Sequence, residues 1–212
     1  MGVKKNKDFR LRVPGGETTV LLHTCCAPCS SAIIEAMMKD GITPVIYYCN
    51  PNIYPQEEYE IRKNECTRYA RSLGLEIVDA DYDHENWLDA VKGLEGEPER
   101  GGRCLRCFKI RLLRTAQYAA QRGIKVITTT LASSRWKSLD QINEAGRWAC
   151  QQIVPPDSRL GVDLVPPDGK VIWWDHNWRK NGLQERRLQI IKEYDFYNQL
   201  YCGCEFSMRK KD

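Results

Sequence analysis

TTVLLHTCCAPCSSAIIEAMMKDGITPVIYYCN (Thr18–Asn50) reads as strand, helix, strand. Val20–His23 is a short apolar run, and Pro28 with Ser30–Ser31 suits a helix start. The helical stretch ends at Gly41, a natural stop, and Pro44–Asn50 is rich in β-branched and aromatic residues. The alternation continues downstream. Gln56–Leu73 reads as a helix ending at Gly74, Leu75–Tyr82 as a strand, and His84–Val91 as a short helix. After the loop GLEGEPERGGR come a basic helix (Cys104–Arg122, stopped by Gly123), a strand (Lys125–Ala132) and a helix (Asp140–Gln152). Pro155–Lys170 is loop-like, Val171–Asp175 a strand and Gln184–Tyr194 a last helix. Such alternation predicts an α/β fold, a mostly parallel sheet with helices on both faces, plus a helical C-terminal part. Residues 1–17 are expected to form a basic flexible tail and 18–212 a single α/β metal-binding catalytic domain. Ligands in such folds sit beyond the carboxyl ends of the strands. His23–Cys26, Cys49–Asn52, Asp79–Asp83 and Thr129–Ser134 all fall there.

A chain of 212 residues buries a core without covalent help, yet this one carries 10 cysteines. That is below the density of a secreted disulfide scaffold. MGVKKNKDFRLRV at the N-terminus lacks the apolar centre of a signal peptide, and no run approaches the ~18 apolar residues of a membrane span. The expected compartment is the reducing cytoplasm, with no membrane partner, where clustered cysteines bind metal or do redox chemistry. Charge is uneven: Tyr54–Glu99 holds 13 acids and 5 bases, whereas Arg100–Lys125 holds 8 bases and no acid. A basic run of that length is either a solvated helix face or a site for a polyanion.

Seven cysteines are clustered, as Cys25-Cys26-x2-Cys29, Cys104-x2-Cys107 and Cys202-x-Cys204. Cys49, Cys66 and Cys150 stand alone and read as small buried hydrophobes. A thioredoxin-type dithiol would use only Cys26 and Cys29. A structural zinc site would use four thiolates and leave three over. Seven thiolates in three groups suggest two metal centres, with iron–sulfur chemistry favoured over zinc alone.

HTCCAPCSS (His23–Ser31), NPNIYPQEEYEIRK (Asn50–Lys63), RCLRCFKIRL (Arg103–Leu112), TTTLASSRWKSLDQI (Thr128–Ile142), WRKNG (Trp178–Gly182) and YNQLYCGCEFS (Tyr197–Ser207) occur in that order. Together they resemble the cobalamin-independent epoxyqueuosine reductase family, QueH, over nearly the whole chain. The resemblance implies a fold similar to the ATP-pyrophosphatase and nucleotide-hydrolase (HUP) superfamily. It implies reduction of the epoxide of epoxyqueuosine, at the wobble position of a tRNA anticodon, to queuosine. It also implies a [4Fe–4S] cluster beside a mononuclear iron that acts as a Lewis acid, with zinc possible in purified protein. TCCAPCSS stands where the superfamily carries a glycine-rich phosphate loop, so ATP chemistry is not expected. Cys26, Cys29, Cys104 and Cys107 are then the expected cluster ligands, and Cys25, Cys202 and Cys204 those of the second iron. Relatives with Asp at the last position of CCAPC make Cys29 the least secure thiolate.

Epoxide to alkene consumes two electrons and two protons and releases water, so an external one-electron donor of ferredoxin or flavodoxin type is expected. His23, Asp81 and Tyr59 are the candidate proton sources. The plain alternatives are a hydrogen-bonded strand end for His23 and a helix cap for the aspartate. His84 and His176 are expected to be exposed. Arg103, Arg106, Lys109, Arg111, Arg135, Lys137, Arg179 and Lys180 are the candidate tRNA phosphate contacts, with Trp136 and Trp178 among them. A zinc-stabilised tRNA-binding module and a thiol-dependent tRNA sulfur-transfer or redox protein are the competing readings.

Overall fold

Strand β1 (Thr19–Thr24) is buried from Val20 onward, as a central strand covered on both faces must be. The computed structural model describes residues 9–153 and 170–208. Besides β1, the sheet contains β2 (Thr43–Tyr48), β3 (Ile77–Asp79), β4 (Val126–Thr129) and β5 (Ile172–Trp173). Its order is β3-β2-β1-β4-β5, and every neighbouring pair is parallel. The helices are α1 (Ala27–Lys39), α2 (Gln56–Ser72), α3 (His84–Val91), α4 (Gly102–Gln121), α5 (Leu139–Gln151) and α6 (Leu183–Glu193). Helix α1 packs against α2 and α6, while α4 packs against α3 and α5. The α/β architecture expected from the alternation is therefore present.

The chain builds outward from β1 to β2 and β3, then crosses back through α3 and α4 to place β4 on the other flank of β1. The order reverses between β1 and β4, the point where parallel sheets open a crevice for ligand. The loops that end β1 and β4 carry CCAPC and TLASS, so topology alone brings the first cysteine group into that crevice.

Several expected elements differ, among them the strand expected over Val171–Asp175, which contracts to Ile172–Trp173. The strand expected over Leu75–Tyr82 contracts to Ile77–Asp79, a half-exposed edge, and Asp81 beyond it takes a left-handed φ of 58°. The strand expected to reach Ala132 stops at Thr129, whose hydroxyl accepts from the Leu131 amide at 3.1 Å and starts a 3-10 turn over Thr130–Ser133. The tail expected to end at residue 17 is anchored earlier: Leu11 is buried in the core and its amide donates to Asp40 Oδ2 at 2.7 Å. Residues 1–8, and nearly all of the loop expected over Pro155–Lys170, lie outside the described residues.

Gly146 lets α5 lie flat on β5. A Cβ there would sit 2.2 Å from the Trp173 ring, which is itself held by a hydrogen bond from Nε1 to Asn143 Oδ1 at 3.2 Å. Gly146→Ala is expected to cost about 1–3 kcal/mol and lower Tm by roughly 3–10 °C. A thermal melt unchanged within a degree would mean that the ring moves aside freely.

Candidate metal centre

The first cysteine group sits where β1 meets α1. Cys26 occupies the N-cap position of α1 in extended backbone, and Pro28 opens the helix. This turn gathers Cys25, Cys26 and Cys29, whose sulfurs all lie within 4.8 Å of one another. The Cys25 and Cys26 sulfurs are 3.8 Å apart. A tetrahedral site with metal–sulfur bonds of ~2.3 Å has an edge of about that length, so the spacing fits two thiolates on one metal ion. Of the three thiols Cys25 ionises most readily. Its sulfur accepts from the Cys26 and Cys29 thiols, and the Lys137 and Arg111 cations help to offset its burial. Cys26 is correspondingly held up, and Cys29 is pushed up to about 12.

The expected division placed Cys25 and Cys26 in different centres. In the structure the two sulfurs lie in one group with Cys29, gathered by the turn that starts α1. Beside them opens a cavity of about 860 Å³, lined by Cys29, Cys104, Cys107, Cys202 and Cys204 among others. Cys25 and Cys202 line a smaller recess next to it, together with Lys137 and Arg111. Burial pushes the Cys104 and Cys107 thiols up, and Cys204 up to about 12. All ten cysteines are free thiols. Cys49 and Cys66 are buried in the core, and Cys150 is partly buried against it, as small hydrophobes.

Long-range contacts hold the groups in place. Arg111, 2% exposed, donates from Nε to the Cys49 carbonyl at 3.1 Å and from Nη2 to Asn50 Oδ1. Asn50 Nδ2 in turn donates to the Thr24 carbonyl at 2.9 Å, so α4 fixes the end of β1 just before Cys25. The C-terminal CGC is tied to α2. Arg62 donates to the Tyr201 and Cys202 carbonyls, each at 3.3 Å, and the Tyr54 amide donates to the Gly203 carbonyl at 2.8 Å. Gly203 has a φ of +110°, and a Cβ there would fall 2.9 Å from Ile53 Cγ1, so glycine alone lets Cys202 and Cys204 approach the cavity.

The expected proton sources are elsewhere. His23 is fully buried under the site with both ring nitrogens engaged: Nδ1 lies 2.7 Å from Thr129 Oγ1 and Nε2 3.0 Å from the Cys49 carbonyl. A carbonyl only accepts, so Nε2 carries the proton and the threonine hydroxyl donates to Nδ1. Tyr59 is buried and donates to Asp79 Oδ1, while Asp81 is exposed at the sheet edge. None of the three lines either cavity. His84, expected exposed, is buried between Tyr54, Tyr82 and Trp87, with Nδ1 donating to the Pro51 carbonyl at 2.7 Å; His176 is half-buried.

Burial, with the nearby Arg111 cation, holds His23 neutral and lowers its pKa from 6.5 to about 3. A depressed histidine contributes stability that is complete above the unfolded value of 6.5 and is lost as pH falls below it. The loss is about 1.4 kcal/mol per pH unit, or roughly 2 kcal/mol by pH 5. Urea unfolding at pH 7 and pH 5 is expected to show that difference, and His23→Asn to remove it. An equal pH slope in the variant would place the titration elsewhere.

The expected phosphate contacts separate. Arg103 is buried, its Nη1 donating to the Glu95 and Glu97 carbonyls at 2.6 Å, and Arg111 is consumed as described. Both serve the cavity wall, because an enclosed guanidinium needs fixed acceptors. Lys109 pairs with Glu144 at 2.9 Å against α5. Arg106 and Lys180 are exposed and line neither cavity. Arg135, Lys137 and Arg179 line the large one, and of its charged lining residues seven are basic and only Glu99 is acidic. Lys137, half-buried, faces Cys202, Cys25 and Cys29, whose charge favours its ammonium form. Arg62 and Arg100 were not anticipated. Only the i, i+4 spacing of Glu58 and Arg62 hinted at either.

Fold and site together define a class: an α/β protein whose switch-point crevice is built of thiols for metal and walled with cations. The family model for epoxyqueuosine reductase QueH matches residues 20–210. The chain belongs to that family. It is 45% identical over 200 residues to the epoxyqueuosine reductase QueH of Haemophilus influenzae, covering 94% of this chain and 76% of that protein. It is 43% identical over 201 residues to that of Acinetobacter baylyi (95% and 85%) and 33% identical over 196 residues to that of Thermotoga maritima (91% and 92%). Among the described residues no helix is long and apolar enough to cross a membrane.

Proposed function

We propose that this protein reduces the epoxide of epoxyqueuosine, at the wobble position of tRNA, to the alkene of queuosine, the last step of queuosine biosynthesis. The observation that carries the proposal is a basic cavity at the switch point of the sheet lined by five thiols, with Cys25 in the recess beside it and Cys26 within 4.8 Å of Cys25 and Cys29. A purely structural zinc site needs four thiolates and no cavity. The volume of about 860 Å³ suits an everted nucleotide.

The donor set suits a [4Fe–4S] cluster and a single iron. The proximity of Cys25, Cys26 and Cys29 supports a three-thiolate site with an open position, and Cys104, Cys107, Cys202 and Cys204 supply the four thiolates of a cubane. When bound, these groups would supply single electrons and Lewis acidity toward the epoxide. The chain's own residues do the rest. Arg111 and Asn50 hold the Cys25 turn in register, Arg62 and Gly203 bring Cys202 and Cys204 to the cavity, and the Lys137 ammonium offsets accumulated thiolate charge. Arg135 and Arg179 at the wall attract the tRNA backbone. Two electrons come from an external donor of ferredoxin or flavodoxin type, and two protons complete the release of water. A cytoplasmic setting keeps the thiols reduced.

Anaerobically purified protein tests this reading. It is expected to be brown, with about five irons per chain and broad absorption near ~400 nm. With a chemical reductant it should remove one oxygen from the modified nucleoside of tRNA, read by mass spectrometry. A colourless protein with zinc and no turnover would favour the binding-module reading.

A further inference from the structure

We propose that Trp136 is a stacking platform for an unpaired base of the anticodon loop next to the modified nucleotide. This rests on the tRNA reading above and adds the residue that reads the loop. Trp136 lies on the wall of the large cavity and is 69% exposed, whereas Trp87, Trp174 and Trp178 are buried. A lone exposed aromatic needs no explanation, but the loop beneath this one is fastened with unusual care.

Arg100 donates from Nε to the Trp136 carbonyl and from Nη2 to the Arg135 carbonyl, both at 2.9 Å. The Trp136 amide donates to Ser134 Oγ at 3.3 Å. Arg100 itself sits at a φ of 70°, a left-handed conformation that is strained for a non-glycine residue. Gln141 Nε2 fixes it by donating to the Arg100 carbonyl at 2.8 Å. Strain and two side chains are thus committed to a loop whose central ring packs into no core. Their effect is to present that ring in one place, which lowers the entropy cost of binding a planar partner.

The chemistry of the surroundings selects the partner. The Arg135 guanidinium lies 5.6 Å from the Trp136 ring centroid, and the wall carries seven bases against one acid. A flat π surface beside guanidinium groups matches a base joined to its phosphate. Single-stranded loops offer such bases, whereas a duplex keeps them stacked.

The test is binding of an anticodon stem-loop RNA to the iron-loaded full chain, with 2-aminopurine placed beside the wobble position. Trp136→Ala is expected to weaken binding about 5- to 150-fold, the span of one lost base stack. It should also abolish 2-aminopurine quenching. Iron content and the slope of log affinity against log salt should stay unchanged, because no phosphate contact is removed. Trp136→Phe should restore most of the affinity. Affinity within twofold of wild type in Trp136→Ala, or a changed salt slope, would overturn the platform while leaving the tRNA reading intact. Unchanged RNA affinity with slower electron delivery would overturn it in favour of donor docking. Failure of the unaltered protein to bind the stem-loop would overturn both.

Discussion

Cys25→Ala is expected to lower epoxide reduction by on the order of 10³-fold or more and to release the metal held at the start of α1. Cys25 is the most readily ionised of three thiols that lie within 4.8 Å of one another, and its backbone amide is fixed to Thr130 Oγ1 at 3.2 Å. Removing it leaves two sulfurs, too few to retain an open tetrahedral metal against water. The side chain is only half-buried and packs at the margin of the core, so alanine forfeits one sulfur's contacts and the melting temperature should stay within a few degrees. The four thiols of Cys104, Cys107, Cys202 and Cys204 remain, and the visible absorption of a cubane should persist with about one iron fewer per chain. Cys66→Ala is the matched control: it deletes a buried sulfur from the core and should spare the metal. Full turnover in Cys25→Ala would remove the three-thiolate site from the mechanism. Loss of the cubane absorption instead would return Cys25 to the cluster.

Arg62→Ala should be the most damaging change outside the thiols. Arg62 is 2% exposed and holds Glu58 Oε1 through Nε and Nη2, at 2.7 and 2.6 Å, while Nη2 also donates to the Tyr201 carbonyl and Nη1 to the Cys202 carbonyl. Truncating one partner of a buried pair leaves the other charge unsolvated, at a cost of about 3–5 kcal/mol. The same change unfastens the C-terminal strap, so iron loading should fall with stability. Urea unfolding and iron analysis on one preparation separate the two effects. Arg62→Met with Glu58→Leu removes both charges and should recover much of the stability but not the iron, because the carbonyl anchors stay lost. Complete iron loading in the double variant would show that Gly203 and the Tyr54 amide hold the strap unaided.

Much of this molecule is local in origin. Helix α3 matches its expected bounds, and α1, α2 and α4 stop where Gly41, Gly74 and Gly123 take left-handed φ values of 76°, 69° and 67°. Such signals are legible because a turn or cap depends on residues within a few positions of itself. The pattern misled where a side chain outbid it, as at Thr129, and it could not show that Arg103 and Arg111 are buried in the cavity wall. A run of eight bases between Arg100 and Lys125 looks uniform in a list. On α4 it divides into wall, core and solvent according to helical phase.

By itself the sequence determined the strand–helix alternation, the grouping of seven cysteines and the set of motifs that marks the family. Each is a property of spacing along the chain. Only the tertiary structure decided which thiols lie together and which cations reach the cavity. It also decided that His23 is a neutral strut beneath the site. Cys25 and Cys202 are 177 positions apart in sequence and line one recess. Their meeting is set by the reversal of strand order at β1 and by one buried arginine on α2, and neither leaves a local trace.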